Sequence, residues 1–314
     1  MEKEYKYMVC IVCMTYNQED YIGDALDSFV HQQTNFPYCA VIIDDCSTDN
    51  TPNVIKEYEM QYPEIVKGVY LAENHYSQKK SKRQYAKHWY EQSKFFAVCE
   101  GDDYWINRHK LQIQVDYLNT HPECQLVFHN AILHSQDHLF KDRIMCSYDT
   151  GLFNLKQVFE HWQMPYASVM CRSSLLEHPV YKQLTLKVRG GWCFFIAAAK
   201  IGTVYGISDC MSVYRKNKGG VSKNMNVPFV IDANYKIAYA TESEDAVKVI
   251  DGKVRQQLLN MYVPFLRGDK LARKAMIVAR KYNKWLPYQL FCMFLIQLPK
   301  KIYRKCCSIG KGKK

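Results

Sequence analysis

Five apolar residues, Phe95–Cys99, lead directly into a turn that carries three carboxylates. The run is shorter than a typical helix, and an unbroken apolar stretch of this length is typical of a strand buried on both faces of a parallel sheet. In open α/β sheets, ligands bind beyond the carboxyl ends of the strands. The sequence therefore predicts that Glu100, Asp102 and Asp103 line a ligand crevice.

Two other apolar runs end in the same way. Ala40–Ile43 leads into Asp44-Asp45-Cys46-Ser47-Thr48-Asp49, and Met8–Met14 leads into Thr15-Tyr16-Asn17-Gln18-Glu19. A single acidic triplet after a core strand would be explained more simply as a solvated turn. Three apolar strands that each end in polar residues favour a shared crevice instead.

The carboxylates of the acidic turn repel one another, so we expect a cation to offset them. Oxygen ligands suit Mg²⁺ or Mn²⁺, which commonly bridge a few protein carboxylates to substrate phosphates. Gly101 is expected to let the backbone turn so that its neighbours converge. Cys10 and Cys13 lie inside a strand pattern without a second pair, which favours core packing over zinc. His134 and His138 lie in a polar, loop-like stretch and carry little weight as ligands.

The chain has 314 residues, 48% of them hydrophobic, which suffices for one large α/β domain with an appendage or for two domains. No signal peptide is expected at its start. Thirteen cysteines are scattered through apolar segments, as expected of reduced, buried thiols. These features indicate a cytoplasmic protein.

The net charge of +11 is concentrated near the carboxyl terminus. Residues 267–314, here called the basic tail, carry fourteen Lys and Arg and one acid, Asp269. Residues 1–266 carry 28 basic and 30 acidic residues, a net charge of −2. A nucleic-acid-binding protein would carry its basic residues over the folded body, so nucleic acid is not an expected partner.

Alternating strand and helix patterns predict an α/β fold, a mostly parallel sheet flanked by helices. We expect a domain at 1–225, a helical extension at 226–266, and the basic tail at 267–314. Further helices are expected at 20–32, 51–62, 107–121, 154–162, 173–177 and 192–200, and strands at 65–71, 125–133, 166–171, 204–207 and 211–214. Thr51 and Asn107 are predicted N-caps, and 216–220 a flexible loop.

Residues 285–298 form a largely apolar stretch flanked by lysines. As a helix it would span roughly 21 Å, less than the roughly 30 Å of a bilayer core. Hydropathy alone does not separate a shallow interfacial anchor from a helix that docks on the protein. The positive charge of the basic tail favours the membrane surface.

Neither G-x-x-x-x-G-K-[ST] nor G-x-G-x-x-G occurs in the chain. Instead, over about residues 7–222, it resembles the family 2 inverting glycosyltransferases with a GT-A fold. The motifs that carry the resemblance are Met14-Thr15-Tyr16-Asn17, Asp44-Asp45-Cys46-Ser47-Thr48-Asp49, Glu100-Gly101-Asp102-Asp103-Tyr104-Trp105 and Tyr214-Arg215. Asn217 stands where the family commonly has a His.

The resemblance implies a role for each matching position. The implied donor-binding residues are Thr15, Asn17, Glu19, Asp44, Asp45 and Asp103, and the implied metal ligands are Asp102 and Glu100. Asp44 would hydrogen-bond the nucleotide base and Asp45 would support its loop. Tyr104 and Trp105, next to the metal motif, are candidate faces for sugar stacking.

One position departs from the family pattern. Gly191 stands where an Asp usually serves as general base, and Asp209 is the nearest downstream acid, a weak candidate. The catalytic base therefore stays unassigned. An Asp introduced at 191 is expected to be tolerated, because an acid in the first turn of a helix is favoured by the dipole.

The leading hypothesis is a glycosyltransferase at the inner face of the membrane that moves a sugar from a nucleotide-sugar to a glycan or lipid-linked acceptor, in surface polysaccharide biosynthesis. A nucleotide-sugar-binding pseudoenzyme is the main alternative because of Gly191. A nucleotidyltransferase is disfavoured by the lack of a glycine-rich basic loop.

Overall fold

The computed structural model describes residues 4–78, 80–161, 164–187, 191–217 and 226–294. The chain divides into two compact units, Met1–Gly220 and Val221–Lys314. The predicted boundary at 225 and most of the predicted loop at 216–220 lie outside the described residues. The separate boundary at 266 stays a prediction.

The strands and helices of the described residues are as follows. The strands are β1 (Tyr7–Thr15), β2 (Tyr38–Asp44), β3 (Val66–Tyr70), β4 (Ser93–Glu100), β5 (Tyr104–Trp105), β6 (Cys124–Ser135), β7 (Arg143–Ile144), β8 (Gly151–Phe153), β9 (Met170–Arg172) and β10 (Thr203–Lys216). The helices of the first unit are α1 (Ile22–Val30), α2 (Thr51–Gln61), α3 (Lys87–Tyr90), α4 (Lys110–Thr120), α5 (Leu155–Glu160), α6 (Ser174–Glu177), α7 (Pro179–Lys187) and α8 (Trp192–Ile201). Those of the second are α9 (Val227–Ala240), α10 (Glu244–Asn260), α11 (Tyr262–Leu266) and α12 (Lys270–Tyr282).

One sheet runs through the first unit in the order β3-β2-β1-β4-β9-β6-β10-β5, with β7 beside β6 and β8 beside β10. The neighbours β3, β2, β1 and β4 are all parallel, as are β6 and β10. The short strands β5, β7, β8 and β9 pair antiparallel with their neighbours. The predicted α/β fold is confirmed, and its long strands are parallel within a mixed sheet.

Apolar runs became buried strands as predicted. Every residue of β2 is buried, and so are most residues of β1 and β4, because helices cover both faces of this part of the sheet. Cys10 and Cys13 are fully buried in β1 with free thiols, which confirms the core interpretation.

Several predicted boundaries were wrong. The N-cap of α2 is Asn50, so the helix includes Thr51 and places Pro52 in its first turn. Helix α4 begins after His109, because the Asn107 side chain accepts the His109 N–H (2.8 Å) and closes a separate turn.

The middle of the chain holds two further differences. Residues 166–168 form a 3₁₀ helix ahead of β9, so only the second half of the predicted strand is extended. The two strands predicted at 204–207 and 211–214 are one strand, β10, with irregular pairing to β6 between Ile207 and Ser212. The polar residues at this irregularity gave the sequence the pattern of a turn.

The second unit is helical in the residues described. Helix α12 packs on α9 and α10 through the small residues Ala272, Ala275 and Ala279 and through Met276. Residues 286–294 are also helical. Among the described residues, no helix has the length and hydropathy needed to cross a bilayer.

Candidate active site

The ends of three parallel strands lie side by side in register. Thr15 of β1 pairs with Asp44 of β2, and Met14 pairs with Glu100 of β4. Main-chain hydrogen bonds continue past the strands, from the Asp45 N–H to the Thr15 carbonyl (3.0 Å). The polar residues that follow these strands therefore meet at one edge of the sheet, as the sequence predicted.

The loop after β1 is bonded to the loop after β2 across about 30 positions of sequence. The Asn17 N–H donates to Ser47 Oγ (2.8 Å), and its Oδ1 accepts the Thr48 N–H (2.8 Å). Asn17 has a left-handed φ of 49°, a conformation that Asn tolerates better than most residues. Its side chain thus fixes the shape of the crevice.

Glu19 and Asp49 join the same two loops. Glu19 Oε2 accepts the Asn50 N–H (2.7 Å), and Asp49 Oδ2 accepts the Glu19 N–H (3.1 Å). Burial acts to raise the pKa of Asp49, but hydrogen bonds from Thr51 and from backbone N–H groups outweigh it and leave the pKa lowered. These carboxylates therefore stabilise the protein's own loops.

Asp44 is 2% exposed, and both of its oxygens bind Ser47. Oδ2 accepts the Ser47 N–H (3.1 Å), and Oδ1 accepts the Ser47 hydroxyl. Each carboxylate oxygen can accept a second hydrogen bond. The predicted contact of Asp44 with a base would use these remaining lone pairs.

Asp45 is fully buried and organises the loop after β3. Its oxygens accept the N–H of His75 (2.7 Å) and of Tyr76 (3.0 Å) and the ammonium of Lys82 (3.0 Å). The Asn74 side chain donates to the Asp45 carbonyl (3.0 Å). Asp45 thus holds the loop after β3 through partners that lie about 30 to 37 residues away and had no signal in the sequence. Its expected support of its own loop, after β2, stays a prediction.

The acidic turn is attached to the end of β10. Asn217 Nδ2 donates to Asp102 Oδ2 (2.8 Å), and the Arg215 N–H donates to Asp103 Oδ1 (2.9 Å). Asp103 is 1% exposed. Its carboxylate therefore lies beneath the crevice, where it bonds the turn after β4 to β10. Asp102 and Glu100 are the acids of this turn that reach the open side.

The reason for a glycine in this turn differs from the prediction. Gly101 does not adopt a positive φ. A Cβ there would lie 2.5 Å from Gln18 Oε1 and 2.9 Å from Thr15 Cβ. Gly101 is required because the acidic turn closely approaches the loop after β1.

Like charges dominate the electrostatics of the turn. Although Glu100 is open to the crevice, desolvation by the surrounding walls and the charge of Asp102 raise its pKa to about 7, against the opposing effect of Lys82. Burial, Asp102 and Glu100 raise the pKa of Asp103 well above its ordinary value. Asp103 Oδ2 is also buried without a hydrogen-bond partner among the described residues. This accumulation of negative charge fits a bound cation.

The number of protein ligands near the turn is small. Among the described residues, no three His, Cys, Asp or Glu side chains lie close enough to form a metal site on their own. Asp102 and Glu100 could supply part of an octahedral shell, with Asn217 Nδ2 bonded to Asp102 Oδ2. Mg²⁺ is commonly bound by one or two carboxylates plus substrate phosphates, so this donor set fits.

The Tyr166 ring occupies the space that a side chain at residue 191 would need. Gly191 is the N-cap of α8, and a Cβ built there would lie 2.3 and 2.6 Å from two ring carbons of Tyr166. The expectation that an Asp fits at 191 is therefore wrong. Asp209 is exposed in β10 six residues before Arg215, roughly 20 Å along the strand. It does not lie at the crevice edge.

The two aromatic residues after the acidic turn point in different directions. Trp105 is 4% exposed, packs 4.9 Å from Phe29 and donates its Nε1–H to the Ala167 carbonyl (2.8 Å). It is a core residue and not a face for sugar stacking. Tyr104 is half-buried, with the Arg215 guanidinium 5.1 Å from its ring centroid.

Sequence reasoning missed a half-buried arginine. The Arg83 guanidinium lies 4.7 Å from the Phe194 ring centroid and donates to the Tyr181 hydroxyl. Burial raises the pKa of Tyr166 to about 12, while Arg83 acts to lower it and Glu100 to raise it further. Arg83 thus lies within electrostatic range of the ring that replaces the base.

Comparison with known proteins finds similarity to glycosyltransferases. Residues 10–175 match the family described as Glycosyl transferase family 2. The chain is 42% identical over 119 residues to an uncharacterized protein of Mycobacterium tuberculosis, a match that covers 38% of this chain and 34% of that protein. It is 25% identical over 229 residues to TuaG of Bacillus subtilis, named as a teichuronic acid biosynthesis glycosyltransferase, covering 70% of this chain and 83% of TuaG.

Among solved structures, the S. aureus TarS fragment 1–349 in complex with UDP-GlcNAc has a TM-score of 0.62 at 17% identity, covering 90% of this chain and 82% of the fragment. Similarity at this level of identity establishes a shared fold.

Proposed function

Since the chain belongs to glycosyl transferase family 2, we propose that it transfers a sugar from a nucleotide-sugar donor to a hydroxyl of a glycan or lipid-linked acceptor, with inversion at the anomeric carbon. The observation that carries the proposal is the convergence of Thr15, Asp44 and Glu100 in register at one sheet edge. UDP-GlcNAc in TarS and the name of TuaG support a UDP-sugar and surface polysaccharide biosynthesis.

The donor diphosphate would lie against the acidic turn, where Asp102 and Glu100 would hold Mg²⁺ or Mn²⁺. That ion would neutralise the charge that builds on the departing nucleoside diphosphate, so it would act more strongly in the transition state than in the ground state. Asn217 orients Asp102 by its hydrogen bond (2.8 Å). The loops joined by Asn17 and Asp45 would hold the nucleoside in a crevice whose shape is already fixed.

The position of Tyr166 keeps the pseudoenzyme alternative open. A side chain at residue 191 would clash with the Tyr166 ring in its present position. A general base typically contributes about 10²–10⁴-fold to rate. An enzyme without one would turn over slowly, and a protein that only binds donor would not turn over at all.

One assay separates these possibilities. The full-length protein is incubated with a panel of nucleotide-sugars and Mn²⁺, with Asp102→Asn as the inactive variant and Asp116→Asn, an exposed carboxylate on α4, as the matched control. Release of nucleoside diphosphate that Asp102→Asn abolishes would support transfer or donor hydrolysis. Release of sugar 1-phosphate would indicate nucleotidyl transfer, and donor binding without any product would indicate a pseudoenzyme.

We also propose that the protein associates peripherally with the cytoplasmic face of the membrane through the basic tail. Each basic residue near an anionic surface contributes roughly 1 kcal/mol. A cut before Arg267 would not test this cleanly, because it removes α12 from the packed helices of its unit. Neutralising the exposed Lys270, Lys274 and Lys281 with Gln should weaken binding to anionic vesicles, and added salt should do the same.

A further inference from the structure

Helix α12 has two different faces. Its small buried residues lie on one side, while Leu271 and Ile277 are 43% and 64% exposed on the other. The cations of this region are all exposed: Arg267, Lys270, Arg273, Lys274, Arg280, Lys281 and Lys284. The outward side therefore combines positive charge with apolar side chains.

The next helical segment is divided in the same way. Leu286 and Leu290 are fully buried, one helical turn apart. Trp285, Tyr288 and Phe291, at spacings of three, are 73%, 66% and 47% exposed. The segment thus buries its two leucines and presents three aromatic rings outward, and its Phe294 ring lies 4.9 Å from the ring of Tyr262 in α11. From the sequence, docking on the protein and contact with a membrane were alternatives for this segment. The buried leucine face and the exposed aromatic face allow both.

The positive charge of this surface is available to a partner. Asp269 is the one acid in residues 267–294, and its Oδ1 accepts the Ala272 N–H (2.7 Å) as the N-cap of α12. None of the seven cations forms an ion pair with a carboxylate in the described part of the chain. Unpaired cations next to exposed Trp and Tyr are typical of surfaces that lie at a lipid interface.

We propose that Trp285, Tyr288 and Phe291, together with the exposed cations of residues 267–284, form the surface that lies on an anionic bilayer. The rings would sit at the boundary between headgroups and acyl chains, and the cations would contact lipid phosphates. The inference rests on the membrane association proposed above and assigns it to particular side chains.

The test uses full-length protein and vesicles of phosphatidylcholine, with or without phosphatidylglycerol. The triple variant Trp285→Ala/Tyr288→Ala/Phe291→Ala is compared with Met60→Ala/Leu139→Ala, which removes apolar side chains that are 75% and 77% exposed in the first unit. Each ring should contribute about tenfold to the partition coefficient, since burying part of an aromatic side chain contributes on this order. The control should bind like the wild type.

A second readout follows Trp285 directly. Its fluorescence should shift to the blue on anionic vesicles and be quenched by brominated lipid, and Trp285→Phe should lose most of that quenching. Equal flotation of wild type and triple variant would overturn the assignment while leaving membrane association intact. No flotation of the wild type would overturn both. A wild-type dimer that the triple variant abolishes, without vesicle binding, would assign the surface to a second copy of the chain. Nucleoside diphosphate release toward a soluble acceptor is independent of all these outcomes.

Discussion

The variant Gly191→Asp tests whether a carboxylate fits at the position of the family's usual general base. A Cβ on Gly191 would lie 2.3 Å from a Tyr166 ring carbon. Ordinary contact begins near 3.5 Å, so the ring must retreat by about 1 Å. Overpacking of this kind typically costs about 1–3 kcal/mol. We therefore expect Gly191→Asp to be less stable than the wild type and to gain no activity.

Removing the ring should reverse the result. In Tyr166→Ala/Gly191→Asp the new carboxylate has room at the start of α8, where the helix dipole favours it. Transfer to acceptor should then exceed that of Tyr166→Ala alone by about 10²–10⁴-fold, the usual contribution of a general base, with KM for the donor unchanged.

The assay pairs denaturant unfolding with nucleoside diphosphate release in the presence of acceptor. Gly23→Ala is the matched control, because a Cβ on this helical glycine meets nothing within 4 Å. It should be neutral or slightly stabilising. If Gly191→Asp unfolds at the wild-type midpoint and transfers faster, the steric argument is refuted, and a carboxylate at residue 191 can act as the general base with the Tyr166 ring present.

Four further changes follow from the described contacts. Asp102→Ala should abolish metal-dependent turnover, which is measured at limiting Mn²⁺. The unfolding midpoint should not fall, since the change relieves repulsion between carboxylates in the acidic turn. Asp45→Ala should cost about 3–5 kcal/mol, because it leaves Lys82 and two N–H groups unpaired, and hydrogen exchange at His75 and Tyr76 should show the opening. Asp44→Ala should raise KM for the donor more than it lowers kcat, and Ser47→Ala should reproduce part of the effect if Asp44 acts through its loop. Burial lowers the pKa of Lys110 to about 7, so above pH 7 the unfolded chain binds one more proton at this residue, and Lys110 alone should make stability rise by about 1.4 kcal/mol per pH unit. Buried cysteines such as Cys10, Cys13 and Cys99, whose pKa burial raises, act in the opposite direction above about pH 8.5. The slope should therefore be measured as the difference between wild type and Lys110→Met from about pH 7 to 8.5, where His129, whose pKa burial holds well below its ordinary value, stays neutral.

The order of strands and helices could be predicted from the sequence because a buried strand appears in it as an unbroken apolar run. Phe95–Cys99 and Ala40–Ile43 are apolar at every position and too short for a typical helix, a combination that favours a strand covered on both faces. Parallel strands then place their carboxyl ends together, so the location of the crevice follows from the strands. The start of α5 is local in the same way: a helix was predicted from Asn154, and there Asn154 and Gln157 bond each other's backbone.

What the sequence could not show is which residue touches which. Asp45 and Lys82 are 37 positions apart, and neither residue type is unusual where it stands. Trp105 was misassigned because adjacency to the acidic turn was taken as access to the crevice. In β5 neighbouring side chains point to opposite faces, so Tyr104 is half-exposed while Trp105 is buried.

The contacts divide the predicted donor-binding residues and metal ligands into two groups with different mutant behaviour. Asn17, Asp44 and Asp45 form hydrogen bonds with loops of the protein itself. Glu100 and Asp102 keep open oxygens in a cluster of like charge. Changes in the first group should therefore act by altering the shape of the crevice and hence donor affinity, whereas changes in the second should act on the charge that develops as the diphosphate leaves. Because hydrogen bonds within the protein hold these loops, little of the free energy of donor binding should be needed to order them, and more of it is available for the transition state.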